Sequence, residues 1–300
     1  MEKTQLFYPE RNFGGLLPEY SAFATSPVVV LPIPYDGTTE WQIGSRRGPQ
    51  AIIDASQNLE LYDFELGRDI SQIGICTLPE VEPVMSGVEP MIERVYQIAT
   101  ELLDKDKFIV TLGGEHSLTL GIVRALVAKF PRLSVLQLDA HGDLRDQYLG
   151  TKYSYASVMR RIIELCPIVP LGIRSLSLEE DGFLKERGIK PFYARGLTLD
   201  EAFWDRLLSS LSPEVYITLD MDVFDPSIMP AVTAPEPGGL SWQQVLAILE
   251  RVAREKRIVG FDLMELCPTE GTAACSFLAA RLAYKLIGYV SCSQNSSLVK

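Results

Sequence analysis

Asp139, His141 and Asp143 occupy alternate positions in the stretch VLQLDAHGDLRD (135–146), directly after an apolar run. Ionisable groups at the end of a buried segment cost several kcal/mol each to desolvate unless something pairs them. Two carboxylates flanking an imidazole repel one another unless a cation stands among them. Asp220 and Asp222 repeat the alternation in TLDMDVFDP (218–226), and GGEHS (113–117) adds His116. The chain has 2 histidines, and both fall in these motifs. Taken singly, each piece has a plainer reading: an Asp at a strand end caps a helix or forms a turn, and GGEHS is a glycine turn with a capping serine. Their coincidence favours a bound cation. Residues two apart in an extended segment face the same way, about 6.6 Å apart, so the donors are expected to share a pocket. Two imidazoles and four carboxylates exceed one tetrahedral zinc site and suit a pair of metals bridged by shared carboxylates. A thiolate-free, carboxylate-rich set points to Mn²⁺ first, ahead of Zn²⁺, Fe²⁺, Co²⁺ or Ni²⁺. Two such ions lower the pKa of a water held between them, and the reaction class that follows is metal-assisted hydrolysis.

These groups must be positioned by the elements around them. Short runs rich in β-branched residues alternate with helix-length amphipathic stretches. Strands are expected at 27–31, 72–76, 108–112, 135–139, 168–173, 190–193, 215–219 and 258–263, and helices at 88–104, 117–129, 198–211, 241–255 and 272–288. Most strand candidates are apolar on both faces, as in the inner strands of a parallel sheet. SWQQ opens the fourth helix with a Ser cap and a Gln three places on. The expected fold is one three-layer α/β/α domain spanning 1–300, with a mostly parallel sheet of about eight strands. Ligands bind outside the carboxyl ends of such strands. GGEHS, DAHGD (139–143), DMD (220–222) and DLMEL (262–266) each close one.

Composition narrows the function classes. With 47% hydrophobic and 22% charged residues the chain is ordinarily globular, and a net charge of −11 argues against nucleic-acid or anionic-membrane partners while suiting cationic ligands. The start, MEKTQLFYPERNFGG, lacks the apolar centre of a signal peptide, and no segment is expected to reach the roughly 20 apolar residues of a membrane span. A cytoplasmic location follows. The 5 cysteines have no CxxC spacing and fit reduced thiols. The ends, 1–24 and 291–300, are expected to pack outside, contact a neighbouring subunit or stay disordered.

GGEHS, DAHGDLRD, TLDMDVFDP and PEPGGL (235–240), supported by GSRRGPQAI (44–52) and DLMELCP (262–268), resemble the signatures of the ureohydrolases, the family of arginase and agmatinase, over about residues 26–288. The PEPGGL element is more similar to agmatinase than to arginase. The resemblance implies one metal on His116, Asp139, Asp143 and Asp220 and a second on Asp139, His141, Asp220 and Asp222, with Asp139 and Asp220 bridging. It implies that Asp143 also carries a proton to the leaving amine and that Glu265 grips a guanidinium by two parallel hydrogen bonds. The implied reaction cleaves a guanidino amine to urea and an amine, in a homo-oligomer, trimer or hexamer, with a polyamine-forming role.

Two departures from the family pattern fall in the substrate pocket. The segment usually written SHASVMRR reads SYASVMRR here, with Tyr155, a phenol of pKa about 10 that relays protons poorly at neutral pH but makes a hydrogen bond. Either slower product release or a different substrate follows. The loop usually written PGTGTPEPGGL reads PAVTAPEPGGL (230–240), so the backbone is expected to take another path and pocket threonines to be missing. The candidate substrates are agmatine, an aminopropyl adduct of it, guanidinobutyrate or another guanidino compound. The contrasting readings are a metal-binding relative without turnover and an amide or formimino hydrolase on the same fold.

Overall fold

The computed structural model describes residues 11–293 and residue 298. Eight parallel strands form one sheet: β1 (Val28–Ile33), β2 (Ile75–Thr77), β3 (Phe108–Gly113), β4 (Leu133–Leu138), β5 (Ile168–Ile173), β6 (Phe192–Tyr193), β7 (Glu214–Asp220) and β8 (Arg257–Met264). Their spatial order is β2-β1-β3-β8-β7-β4-β5-β6. The chain runs outward on both sides of β1, leaves a gap, and returns to fill it with β7 and β8. The carboxyl ends of β3, β8, β7 and β4 therefore stand side by side, with the reversals of strand order that open a crevice for ligands.

Both faces of the sheet are covered, which is why its strands are apolar at consecutive positions. Val28, Val30, Leu112, Leu138 and Leu219 face one core, shared with α1 (Gly48–Ser56), α6 (Glu201–Ser210), α7 (Trp242–Glu255) and α8 (Ala273–Cys292). Val29, Leu31, Ile109, Val135 and Tyr216 face the other, shared with α2 (Val88–Asp104), α3 (Thr119–Lys129), α4 (Val158–Ile162) and α5 (Leu178–Arg187). Helix α7 opens as expected: Ser241 Oγ accepts from Gln244 N at 3.3 Å, and Gln244 Oε1 accepts from Ser241 N at 3.0 Å.

Some expectations are corrected. The 72–76 strand begins later, at Ile75, because Ile70–Ile73 is a 3₁₀ turn capped by Asp69. The 190–193 strand shrinks to Phe192–Tyr193 at the sheet edge, where it has a neighbour on one side only. Helices α1, α4 and α5 and the antiparallel pair Tyr62–Asp63 with Arg68–Asp69 have no counterpart in the sequence reading. Helix α8, at 20 residues with a mean hydropathy of 1.2, does reach the length and apolarity of a membrane span, against the expectation that no segment does. Some 72% of that window is buried inside the protein, where α8 packs between α1 and α7, so its apolarity serves the core.

Of the two ends, 1–10, 294–297, 299 and 300 lie outside the described residues. Residues 11–24 pack onto the fold: Phe13 is buried, and its N–H donates to Thr77 Oγ1 at 2.8 Å. The cysteines are free thiols, buried except for Cys292.

Candidate metal centre

Strand register sets the level of the site. Leu112, Leu263, Leu219 and Leu138 pair in one row across β3, β8, β7 and β4. One residue beyond that row stand Asp220 and Asp139, and two beyond it Glu265. Glycine brings His116 in. A Cβ on Gly114 would lie 2.0 Å from the Tyr35 carbonyl oxygen. That carbonyl is held by Glu115 N at 2.9 Å, so only glycine lets the β3 turn close. The turn sets His116 at the start of a short 3₁₀ segment that leads into α3.

His116 is fully buried, and among the described residues its Nδ1 has no hydrogen-bond partner. Around that nitrogen stand three carboxylate oxygens, Asp143 Oδ2 at 3.1 Å, Asp139 Oδ2 at 3.3 Å and Asp220 Oδ2 at 3.4 Å. A second group gathers beside it: His141 Nδ1 lies 2.8 Å from Asp222 Oδ2 and 3.8 Å from Asp139 Oδ1. Donor atoms of His116, Asp139 and Asp220, and likewise of Asp139, His141 and Asp222, lie within 4.8 Å of one another. All six predicted donors therefore meet in one place, and Asp139 belongs to both groups. A buried imidazole nitrogen without a partner, ringed by carboxylates, fits a divalent cation.

The path by which these residues converge differs from simple strand alternation. Asp143 sits at φ 54, in the left-handed region that Asp tolerates better than most residues. Asp220 caps the 3₁₀ turn Met221–Val223, its Oδ1 accepting from Asp222 N at 2.9 Å while Oδ2 faces His116. The turn expected of DMD is present, and it leaves the second oxygen of the same side chain facing His116.

Electrostatics expresses the crowding. Burial pushes the Asp143 carboxyl up to about 7, with Asp139 adding repulsion. Burial and the Asp222 and Asp139 charges raise Asp220 well above the carboxylate range. Burial alone would lower His116, but the carboxylates of Asp139, Asp143 and Asp220 around its Nδ1 raise it well above an ordinary imidazole. His141 behaves likewise, pushed up to about 11 by Asp222 against its burial. In the absence of an ion, protons take the place that positive charge must fill.

Further residues, missed in the sequence reading, hold the donors. His116 Nε2 lies 2.8 Å from Thr218 Oγ1, and Thr218 donates to Asp262 Oδ1 at 2.7 Å. Asp262 is fully buried and accepts also from Thr119 Oγ1 and Tyr216 OH, both at 2.8 Å. Gln137 Nε2 donates to Asp139 Oδ2 at 2.9 Å. The available signal was polarity inside otherwise apolar strands: Gln137 in β4, Thr218 in β7 and Asp262 in β8. Glu115, inside GGEHS itself, is fully buried and accepts from Thr38 N at 2.6 Å and Thr38 Oγ1 at 2.9 Å.

The donors open onto a cavity of ≈ 250 Å³ whose walls include Asp143, Tyr155, Thr233 and Glu265. Glu265, at φ 63, follows β8 directly. Its Oε1 accepts from His116 N at 2.7 Å and its Oε2 from Thr233 Oγ1 at 2.8 Å. Burial, with the Glu115 charge second, pushes its carboxyl up to about 8. The expected loss of threonine chemistry from the 230–234 loop is therefore corrected. Thr233, where the family pattern has glycine, supplies a hydroxyl of its own, and none of residues 231–234 needs a positive φ. Arg174 ties this loop down, its Nη2 donating to Asp222 O at 2.6 Å and Glu236 O at 2.7 Å. Tyr155 lines the same cavity and gives its hydroxyl to Glu40.

An N(1)-aminopropylagmatine ureohydrolase of Synechocystis is 40% identical over 288 residues, covering 93% of this chain and 94% of its own. An agmatinase of Pyrococcus horikoshii is 36% identical, covering 94% of this chain and 98% of its own. The crystal structure of agmatine ureohydrolase from Thermoplasma volcanium superposes with a TM-score of 0.85 at 32% identity, covering 93% of this chain and 94% of that one. The Arginase family model matches residues 26–288, a span that contains every strand of the sheet and all six gathered donors, and the chain belongs to that family.

Proposed function

We propose that the protein hydrolyses a guanidino amine, agmatine or its aminopropyl adduct, to urea and a primary amine, using two divalent ions, manganese foremost. His116, Asp139, Asp143 and Asp220 would hold one ion, and Asp139, His141, Asp220 and Asp222 the other. The observation that carries this reading is the unpartnered, buried His116 Nδ1 ringed by three carboxylates, beside the cavity that Glu265 lines. Bound there, the ions supply Lewis-acid charge and lower the pKa of coordinated water toward neutrality.

The chain's own residues orient the substrate and move the proton. Glu265 offers a carboxylate to a planar cation, and its two oxygens are fixed in advance by His116 N and Thr233 Oγ1. Asp143, on the cavity wall beside the donors, would take a proton and return it to the leaving nitrogen; its position there supports this role. The net charge of −11 and the agmatine-derived substrates in the relatives' names support a cationic substrate.

The test is colorimetric detection of urea from Mn²⁺-loaded protein given agmatine, its aminopropyl adduct, guanidinobutyrate and arginine. Urea from an amine-ended compound is expected, and it should disappear when a chelator strips the metal. No urea from any of the four would overturn the reading.

A further inference from the structure

Tyr155 donates its hydroxyl to both oxygens of Glu40, at 2.9 Å and 3.0 Å. Tyr148 donates to the same carboxylate at 2.8 Å. The two rings meet edge-on, with centroids 5.9 Å apart, and both line the cavity that contains Asp143 and Glu265. Each phenol has one proton to give, and both give it to Glu40. Burial, followed by Glu40, raises the Tyr155 pKa far above that of a free phenol. The hydroxyl thus stays a donor across the physiological range and does not relay protons.

The backbone beneath is braced. Tyr155 N donates to Thr38 Oγ1 at 3.2 Å, and Thr38 in turn is held through its N–H and hydroxyl by the buried Glu115. Glu40 is exposed, and its partners are the two neutral phenols; among the described residues it is in no ion pair with lysine or arginine. A carboxylate oriented by neutral donors keeps its full charge and has lone pairs to spare. The cavity therefore has one anion on its wall, Glu265, and a second, Glu40, held by two of the tyrosines that line it.

Resting on the function proposed above, we infer that Glu40, positioned by Tyr148 and Tyr155, receives the amine at the far end of a guanidino amine whose guanidinium meets Glu265. The Tyr at position 155, in place of histidine, is then a specificity feature. Arg145 weighs on the other side. Its guanidinium lines the same cavity, 5.1 Å from the centroid of the Tyr148 ring, and would suit a substrate ending in a carboxylate.

Affinities on Mn²⁺-loaded protein separate these, read as calorimetric dissociation constants where no urea forms and as inhibition constants against a second substrate where it does. The probes are agmatine and its aminopropyl adduct, butylguanidine, which has the same four-carbon chain as agmatine but no amine, and 4-guanidinobutyrate. The wild type should prefer an amine-ended probe over butylguanidine by about 3- to 10-fold, the span of a partly exposed charge-assisted contact. Glu40→Gln should bring that preference to about one, and Tyr155→Phe should reduce it while keeping the ring. An undiminished preference in Glu40→Gln overturns the inference, as does tightest binding of guanidinobutyrate with loss of that binding in Arg145→Gln. Binding with the expected preference but no urea overturns the proposed turnover and leaves the subsite standing. Binding of none of the four overturns both.

Discussion

The Nε2 of His116 lies 2.8 Å from the Thr218 hydroxyl, on the side of the ring away from the carboxylates. Thr218 spends its own proton on Asp262, so its oxygen can only accept from Nε2–H. That assignment leaves the Nδ1 lone pair facing Asp139, Asp143 and Asp220, in the tautomer a metal requires. Thr218→Val removes the hydroxyl at nearly constant volume and should weaken Mn²⁺ binding by about 10- to 100-fold. Competition with a chelator of known affinity measures it. Unchanged affinity would show that the ring is held by packing alone.

Metal loading should release protons. Without an ion, the Asp143 carboxyl titrates at about 7 and the His141 imidazole at about 11. Both must be deprotonated to serve as ligands. Both values are raised, so the ion-free site holds these protons below them, and binding weakens as pH falls through 7. Titration calorimetry in two buffers of different ionisation enthalpy should give different apparent heats at pH 7. Equal heats would mean that no protons leave.

How much of this was legible in the sequence depended on the range of the contact. Strands β3, β4, β5, β7 and β8 are apolar on both faces, and that pattern is local. The six donors stood out because histidine appears nowhere else and because charges directly follow buried strands. Helix α5 had a readable signal that went unused, the Ser177 and Glu180 capping box. Thr233 on Glu265 and Tyr155 on Glu40 had none, since the partners lie 32 and 115 residues apart and no short-range pattern encodes them.

Glu265 should dominate guanidine affinity. It is 3% exposed and holds both oxygens in fixed hydrogen bonds, so an arriving guanidinium, whose charge draws the raised carboxyl back to its ionised form, meets a group already oriented. Glu265→Gln keeps the shape and removes the charge. Losing one partner of a buried charge pair costs about 2–5 kcal/mol, or roughly 30-fold or more in affinity. The KM and inhibition constants of agmatine and its analogues on metal-loaded protein check this, and metal affinity measured in parallel should change far less, because Glu265 touches the backbone of His116 and not its ring.

A second buried charge pair serves stability alone. Lys285 of α8 is 7% exposed, and its Nζ lies 2.9 Å from Asp63 Oδ2, with Glu65 on its other side. Asp63 Oδ1 accepts from Glu65 N at 3.0 Å and Leu66 N at 3.1 Å, closing the turn between the two short antiparallel strands. The pair thereby pins that turn to the core helix. Burial alone would raise Asp63, but the Lys285 hydrogen bond and the turn N–H groups hold it below the ordinary carboxylate value. A depressed folded value means that the pair stabilises above the unfolded pKa of about 3.9 and that this contribution is lost as pH falls below it. Lys285→Met keeps the apolar stem and leaves the Asp63 carboxylate buried without its cation, which should cost about 3–5 kcal/mol at pH 7. Adding Asp63→Asn should recover part of the loss, because the stranded charge is then gone. Chemical denaturation of the three proteins decides it: a single variant as stable as the wild type would mean that Asp63 finds water or another donor once Lys285 is removed.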